Sequence, residues 1–406
     1  MTPDFPPADL PLVNTHVHLP PNFSAFADVD AAIAQAVAEG IAALGISNFY
    51  DQRVYGWFGQ AAAAAGIVAL YGLEIIAVAP DLAAGVRVND PANPGRFYLC
   101  GKGVDPDRAP TASAQATTDV IRTGNDTRAA AMIARVAAAL TAAGVAGADR
   151  LEAAGLTRQV ASRAGVPPAW VSLQERHIAQ AVQQVLADLD PPRRGQALER
   201  LYGQPSAVDP DDPVGLQTEL RARLLKAGRP GFVPEVPIGF DQAYDYVLAR
   251  GGIPTYPVLA DGADPLCQFE TPPDSLAQAL LDRGIHAAEL IPPRNTTAVV
   301  DDYVRALTEA GLVVMAGTEH NTTESGPLAP ACADADLSDF ARQHFWRGTC
   351  VVAAHQEAVR QGQPGFVDAT GRLTRRPVDD LVASGAAIIG ARPTVSTQTT
   401  LSKEQP

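Results

Sequence analysis

Residues 11–20 read PLVNTHVHLP, and the placement of His16 and His18 in this stretch decides the fold. The short apolar run reads as a strand, on which residues i and i+2 face the same side. The two imidazoles can therefore reach one metal ion together, and such a site needs further histidines or carboxylates. In parallel α/β barrels the active site lies at the C-terminal strand ends, which is where this pair falls. With only seven histidines in 406 residues, the search for partners is short.

Outward from this strand, strand and helix signals alternate. DVDAAIAQAVAEG opens on an aspartate cap candidate and stops at Gly40, as a helix should. IAALGISNF is a second buried strand, QRVYGWFGQAAAAAG a helix and IVALYGLEIIAV a third strand. Strand–helix–strand at this spacing implies parallel strands with right-handed crossovers. From residue 80 the pattern changes. A loop-rich stretch ending in RFYLC gives way to helix signals such as DTRAAAMIARVAAALTAAG and SLQERHIAQAVQQVLADL. Their apolar residues recur at three- and four-residue steps, as in a small helical bundle.

Alternation resumes with FDQAYDYVLARGG before IPTYPVL, DSLAQALLDRG before IHAAELIPP, and AVVDDYVRALTEAG before LVVMAGTE. Two more helical stretches follow. The expectation is an α/β fold, a (β/α) barrel interrupted by an α-helical subdomain. Its first part spans residues 1–79, the loop and helical cap 80–234, the second part with C-terminal helices 235–390, and a polar tail 391–406.

Composition narrows the partners. A net charge of −14 repels a nucleic-acid backbone, but a metal or an arginine reverses the potential locally for a small anionic substrate. Cys100, Cys267, Cys332 and Cys350 are far apart, which suits free thiols in a reducing compartment. The first residues lack a basic region followed by an apolar run, and no apolar stretch reaches the length of a membrane span. The expectation is a cytoplasmic protein with a small-molecule substrate and with neither nucleic acid nor membrane as partner. Oligomeric state is not set by the sequence.

Carboxylates and histidines recur at later strand ends. LYGLEII places Glu74 near the end of the third strand, and MAGTEHNTTES places Glu319 and His320 just past a late one. IHAAELIPPRN supplies Glu289 and then Arg294. Singly, each carboxylate reads as a solvated or salt-bridged residue. Together they gather at the sheet edge that holds His16 and His18.

The order HxH, then GLE, then GGIPTYP, then GLVVMAGTEHN resembles the PHP (polymerase and histidinol phosphatase) superfamily, and ERHIAQAV with GRPGFV resembles the insertion of its nucleotide phosphatases. The likeness runs over roughly residues 12–325. It implies a distorted (β/α)7 TIM-like barrel that binds divalent metal and hydrolyses phosphoesters. The family order is HxH, TDH, GxE, AHP and a late GSDxH. His16, His18 and Glu74 match it; Phe49 stands where TDH has its histidine, Tyr256 stands for the AHP histidine, and His320 is adjacent to Glu319.

The resemblance thus implies one or two zinc, manganese or iron ions held by His16, His18, Glu74, Glu319 and His320. The reaction it implies is attack of a metal-activated water on a small-molecule phosphate ester. Asp51 is the candidate general base or extra ligand, Tyr256 a substrate-orienting group, and Arg294 or Arg53 the anion clamp. Two other readings stay open. An amidohydrolase-type enzyme also opens with HxH, but wants a bridging lysine, and none of Lys102, Lys226 and Lys403 is read at a barrel strand end. A catalytically degenerate barrel would bind a ligand or partner instead. His177, His286, His344 and His355 are assigned to packing.

Overall fold

β-branched and apolar runs separated by amphipathic helices fold as that pattern dictates, with one exception. In the computed structural model the described residues are 9–79, 81–82, 85–91, 93–235 and 238–391. The strands are β1 (Leu12–Val17), β2 (Ile41–Ile46), β3 (Val68–Val78), β4 (Arg96–Lys102), β5 (Ile238–Gly239), β6 (Ile253–Val258), β7 (Ala287–Leu290) and β8 (Val313–Ala316). The sheet order is β1-β2-β3-β4-β6-β7-β8, and the short β5 lies against β3.

Beyond β8 the chain returns alongside β1. His18 N–H donates to the Glu319 carbonyl (2.8 Å) and Glu319 N–H to the His16 carbonyl (2.8 Å), which brings the two ends of the sheet together. The result is the distorted TIM-like barrel that the sequence predicts. The approach is close enough to require glycine at 317, where a Cβ would lie 2.2 Å from that of His16.

The exception is β4. Arg96–Lys102 falls in the stretch read as loop, yet it pairs antiparallel with both β3 and β6. Phe97 and Leu99 are fully buried in the barrel core. The barrel therefore continues past the expected boundary at residue 79. The flanking prolines and glycines of PANPGRFYLCGK mask a strand that runs opposite in direction to the rest. Lys102 ends this strand, which also corrects the expectation that no lysine does so.

Around the sheet lie α1 (Val29–Ala38) and α2 (Tyr55–Ala64), and Asp28 caps α1 by accepting from the Ala31 N–H. The cap helices are α3 (Ala112–Ala142), α4 (Ala153–Ala164), α5 (Glu175–Ala187), α6 (Pro191–Tyr202) and α7 (Pro213–Leu220), the last continued by a π-turn over Arg221–Leu225. Then come α8 (Phe240–Ala249), α9 (Pro273–Leu281), α10 (Thr297–Glu309), α11 (Asp339–Arg360) and α12 (Val378–Gly390).

A hydrophobic core separate from the barrel's is built by cap residues between Ala129 and Leu225, including Met132, Ile133, Leu140, Ile178 and Leu198. Burying each such side chain contributes about 1.5–3 kcal/mol. Helix α3 joins the two cores. Its Ala114 belongs to the barrel core and its Thr118 hydroxyl bonds the Tyr246 hydroxyl of α8 (3.2 Å), while Ala129 to Leu140 pack in the cap. All four cysteines are buried and free. No helix among the described residues is long and apolar enough to cross a membrane. Most of the expected polar tail, residues 392–406, lies outside the described residues.

Candidate metal centre

The ladder between β1 and β2 is irregular from Asn14 to Val17, a bulge of the kind that re-aims side chains. It lets Thr15 and His16 approach the same carboxylate on β7. Thr15 Oγ1 donates to Glu289 Oε1, and His16 Nδ1 donates to Glu289 Oε2 at 2.6 Å. Lys102 Nζ meets the same Oε2 at 2.7 Å. Burial alone would raise the Glu289 carboxyl; Lys102 first and His16 second outweigh it and hold it down at about 2.

With Nδ1–H donating to the Glu289 carboxylate, His16 leaves Nε2 bare and aimed at His18. That atom lies 3.3 Å from His18 Nε2, and His18 Nε2 lies 3.8 Å from Glu74 Oε2. Two nitrogens bound to one tetrahedral ion at ordinary Zn–N lengths stand about 3.3–3.4 Å apart, so the spacing fits. The ligand atoms of His16, His18 and Glu74 all lie within 4.8 Å of one another. His18 Nδ1 is buried without a hydrogen-bond partner. Burial above all holds His18 well below the usual imidazole range, so it is the neutral ligand form. Glu74 is pushed up to about 8, chiefly by burial and then by Glu319.

His18 and Glu74 line a cavity of about 340 Å³ between barrel and cap, and His16 lies fully buried beside His18. Phe23, Phe49, Ile76 and Tyr98 supply apolar surface; Arg176, Arg221, Arg128 and Lys226 enter from the cap, and Arg294 from the barrel rim. Arg128 and Lys226 share Glu175 (2.6 and 2.9 Å). Among the described residues neither Arg176 nor Arg221 has a carboxylate within ion-pair distance. Arg176 has one hydrogen bond, to Asn321 Oδ1 at 3.2 Å, and Arg221 Nε is buried without a partner. Burial, then Arg221 and Arg294, depress the Arg176 guanidinium to about 9.

The remaining predicted residues divide. Glu319 and Arg294 both line the cavity and pair with each other, and Asn321 also donates to Glu319 (2.9 Å). Successive left-handed backbones at Glu319 (φ 61°) and His320 (φ 50°) turn their side chains apart. His320 leaves the centre: its Nδ1 meets Thr318 Oγ1 (2.7 Å), its Nε2 meets the Gly326 carbonyl (2.9 Å), and its ring stacks on Phe26. As a ligand it is therefore corrected to a structural residue.

Asp51 is also corrected as base or ligand, since Arg53 clasps its carboxylate, Arg122 adds a contact at 3.5 Å, and it does not line the cavity. Arg53 is thereby spent as an anion clamp. Tyr256 does not orient substrate. It is fully buried against Phe97 and Phe269, and its hydroxyl bonds Glu270 Oε1 (3.0 Å) on the far side of the strand from the cavity-lining Pro257.

His177 is buried and closes the capping box of α5 with Gln174, whose Oε1 in turn accepts from the Phe23 N–H of the barrel (2.6 Å). His355 is buried between the Gly251 carbonyl and the Phe366 N–H.

Sequence pattern alone gives no site role to Lys102, Arg176 or Arg221. The adjacency of Arg176 to the cap's only conspicuous histidine was the one available signal; Arg221 had none.

No protein-family model and no curated protein sequence matches the chain. Among solved structures, the fold is similar to that of an amidohydrolase from Chromobacterium violaceum determined with sulfate and without metal. The TM-score is 0.52 at 19% identity, over 79% of this chain and 93% of that one. It is also similar to a protein from Bifidobacterium adolescentis designated a metal-dependent phosphoesterase, with a TM-score of 0.56 at 13% identity over 86% of this chain and 98% of that one. At these identities the likeness establishes the shared barrel fold.

Proposed function

We propose that this chain is a metal-dependent hydrolase of PHP type acting on small-molecule phosphate esters. One juxtaposition carries the reading. His16, His18 and Glu74 converge, with His18 and Glu74 lining the cavity and His16 buried beside them, while Arg176 and Arg221 face it from the cap with no carboxylate within ion-pair distance among the described residues. The fold neighbours include both an amidohydrolase and a designated phosphoesterase, so they do not choose between ester types. The arginines favour phosphate: a pair of guanidinium forks without ion-pair partners among the described residues fits a phosphate dianion, and a neutral amide or lactone leaves it unpaired.

His16, His18 and Glu74 would hold the ion. When bound, a divalent ion supplies Lewis acidity and an activated water near neutral pH. The protein's own groups do the rest. Glu289 fixes the His16 tautomer, and burial keeps His18 neutral. Arg176 and Arg221 receive the phosphate oxygens and stabilise the charge that gathers on them in the transition state. Arg294 joins them once substrate competes with Glu319 for its guanidinium. Phe23 and Phe49 restrict water around the reacting group. Lys102 does not revive the amidohydrolase reading, because its ammonium is committed to Glu289 and does not line the cavity.

The test is metal analysis of protein purified without chelators, followed by a panel of phosphomonoesters, amides and lactones. Stoichiometric metal with turnover of phosphomonoesters alone is expected. Protein that neither retains nor takes up an ion overturns the reading in favour of a degenerate barrel. Turnover of amides or lactones in preference to phosphomonoesters overturns the substrate class.

A further inference from the structure

Resting on that metal site, we propose that Lys102 is a positioning residue for it, acting through Glu289 as a cation built into the barrel floor. The ammonium is 2% exposed and all three of its protons have acceptors: Glu289 Oε2 at 2.7 Å, the Thr15 carbonyl at 2.9 Å and Ser47 Oγ at 2.8 Å. These acceptors come from β7, β1 and the end of β2, so one side chain ties together three walls of the barrel.

Glu289, fully buried, passes the constraint on. Its Oε2 is shared between Lys102 and His16 Nδ1, and its Oε1 takes the Thr15 hydroxyl. The carboxylate cannot swing without breaking an ion pair in a site closed to water. The imidazole it holds presents Nε2 toward His18, whose ring lines the cavity. A carboxylate behind a ligating histidine is a common device for fixing ring orientation. The feature particular to this chain is the lysine behind the carboxylate, reached only because β4 runs antiparallel and ends at the level of Gly72, two residues before Glu74 on β3.

The pair also occupies ground that a second ion would claim. Cys100, His16 and Glu289 bring potential ligand atoms within 4.8 Å of one another, and Lys102 already engages the carboxylate of that group. The lysine thus supplies the positive charge on this side of His16.

The experiment measures Zn²⁺ affinity by chelator competition, together with metal-free thermal midpoints, for the wild-type chain, Lys102→Met, Glu289→Gln and the double variant. Lys102→Met is expected to weaken binding about 10–100-fold, as loss of an outer partner of a metal ligand does. In the Glu289→Gln background the same substitution should leave affinity equal or improved, because the glutamine still accepts from His16 and no unpaired ammonium remains. A packing role alone would move the midpoints and leave the affinities.

Unchanged affinity in Lys102→Met, or a further loss in the double variant relative to Glu289→Gln, overturns the proposal. The latter comparison stands even if Lys102→Met alone does not fold. A wild-type chain that binds no Zn²⁺ overturns the metal site itself and this inference with it. Wild-type binding matched by Lys102→Met overturns the inference alone.

Discussion

Metal affinity should rise with pH, and Glu74 should be the reason. Its carboxyl is pushed from 4.5 to about 8, first by burial, next by Glu319, with Glu289 adding and Lys102 and Arg294 opposing. At pH 6 the metal-free site therefore carries a proton that an ion must displace. Each pH unit well below the raised value costs tenfold in apparent affinity, and since half the sites are still protonated at pH 8, about 50-fold separates pH 6 from pH 8. His18, held neutral by burial, contributes no proton across this range. Chelator competition at fixed free metal gives the slope. Calorimetry in two buffers of different ionisation enthalpy counts the protons released. Glu74→Gln should bind more weakly at pH 8 and lose about one unit of slope against wild type. Equal slopes in the two proteins would refute the assignment.

The same shift carries a stability sign. A raised carboxyl pKa means the folded, metal-free chain keeps a proton that the unfolded chain releases above 4.5. That stabilisation is present below 4.5 and is lost as pH climbs toward 8, by up to about 1.4 kcal/mol per unit. Metal saturation should flatten the trend.

Arg176→Ala should raise KM for phosphomonoesters at least about tenfold, the scale of one lost charge-assisted bond, while raising the thermal midpoint of the ligand-free chain by relieving repulsion from Arg221 and Arg294. Steady-state kinetics and a thermal melt read the two effects, and a lowered midpoint would count against the crowding. Tyr256→Phe should leave metal affinity intact and lower stability by about 1–3 kcal/mol in urea titrations, because buried Glu270 loses a donor. Lost activity in the well-folded variant would return Tyr256 to the reaction. Gly317→Ala should destabilise by about 1–3 kcal/mol or more and weaken Zn²⁺ binding, since its new methyl meets His16 Cβ. Unaltered binding would show that the His16 backbone does not depend on the barrel seam.

The convergence of the candidate ligands is legible in the sequence because strand alternation is a local rule. His16 and His18 sit two residues apart, and Glu74 lies on a long strand whose neighbours are parallel. What failed was direction and turn geometry. Lys102 was passed over because RFYLCGK lies among prolines and glycines, and a parallel-barrel pattern has no place for a strand running backward. Glu319 and His320 could not be separated, since two left-handed residues in a row decide which one faces the cavity. Tyr256 was assigned by family position, whereas its hydroxyl serves a buried carboxylate instead. Arg221 sits in a π-turn, and a helical periodicity does not show which residue such a turn aims at the barrel.

The net charge of −14 and an anionic substrate are reconciled by where the charges are spent. Six basic side chains line the cavity against five acidic ones, of which four are paired or protonated and the fifth, Asp90, accepts from the Asn93 amide (2.8 Å). Glu175 is shared by Arg128 and Lys226, Glu235 lies against Arg96, and Glu319 holds Arg294. Glu74 carries a proton near neutrality until an ion replaces it. Among the described residues the lining cations without an ion-pair partner are Arg176 and Arg221, both from the cap, a subdomain whose core is its own. Binding the ion adds positive charge on the opposite wall. An anion arriving after the metal therefore meets cations on two sides, and the potential that repels it at the protein surface changes sign at the cavity. Anion affinity should accordingly be higher in the metal-loaded chain than in the metal-free one, by linkage in both directions. Inorganic phosphate titrated into each form measures the coupling, and equal affinities would place the phosphate away from the ion.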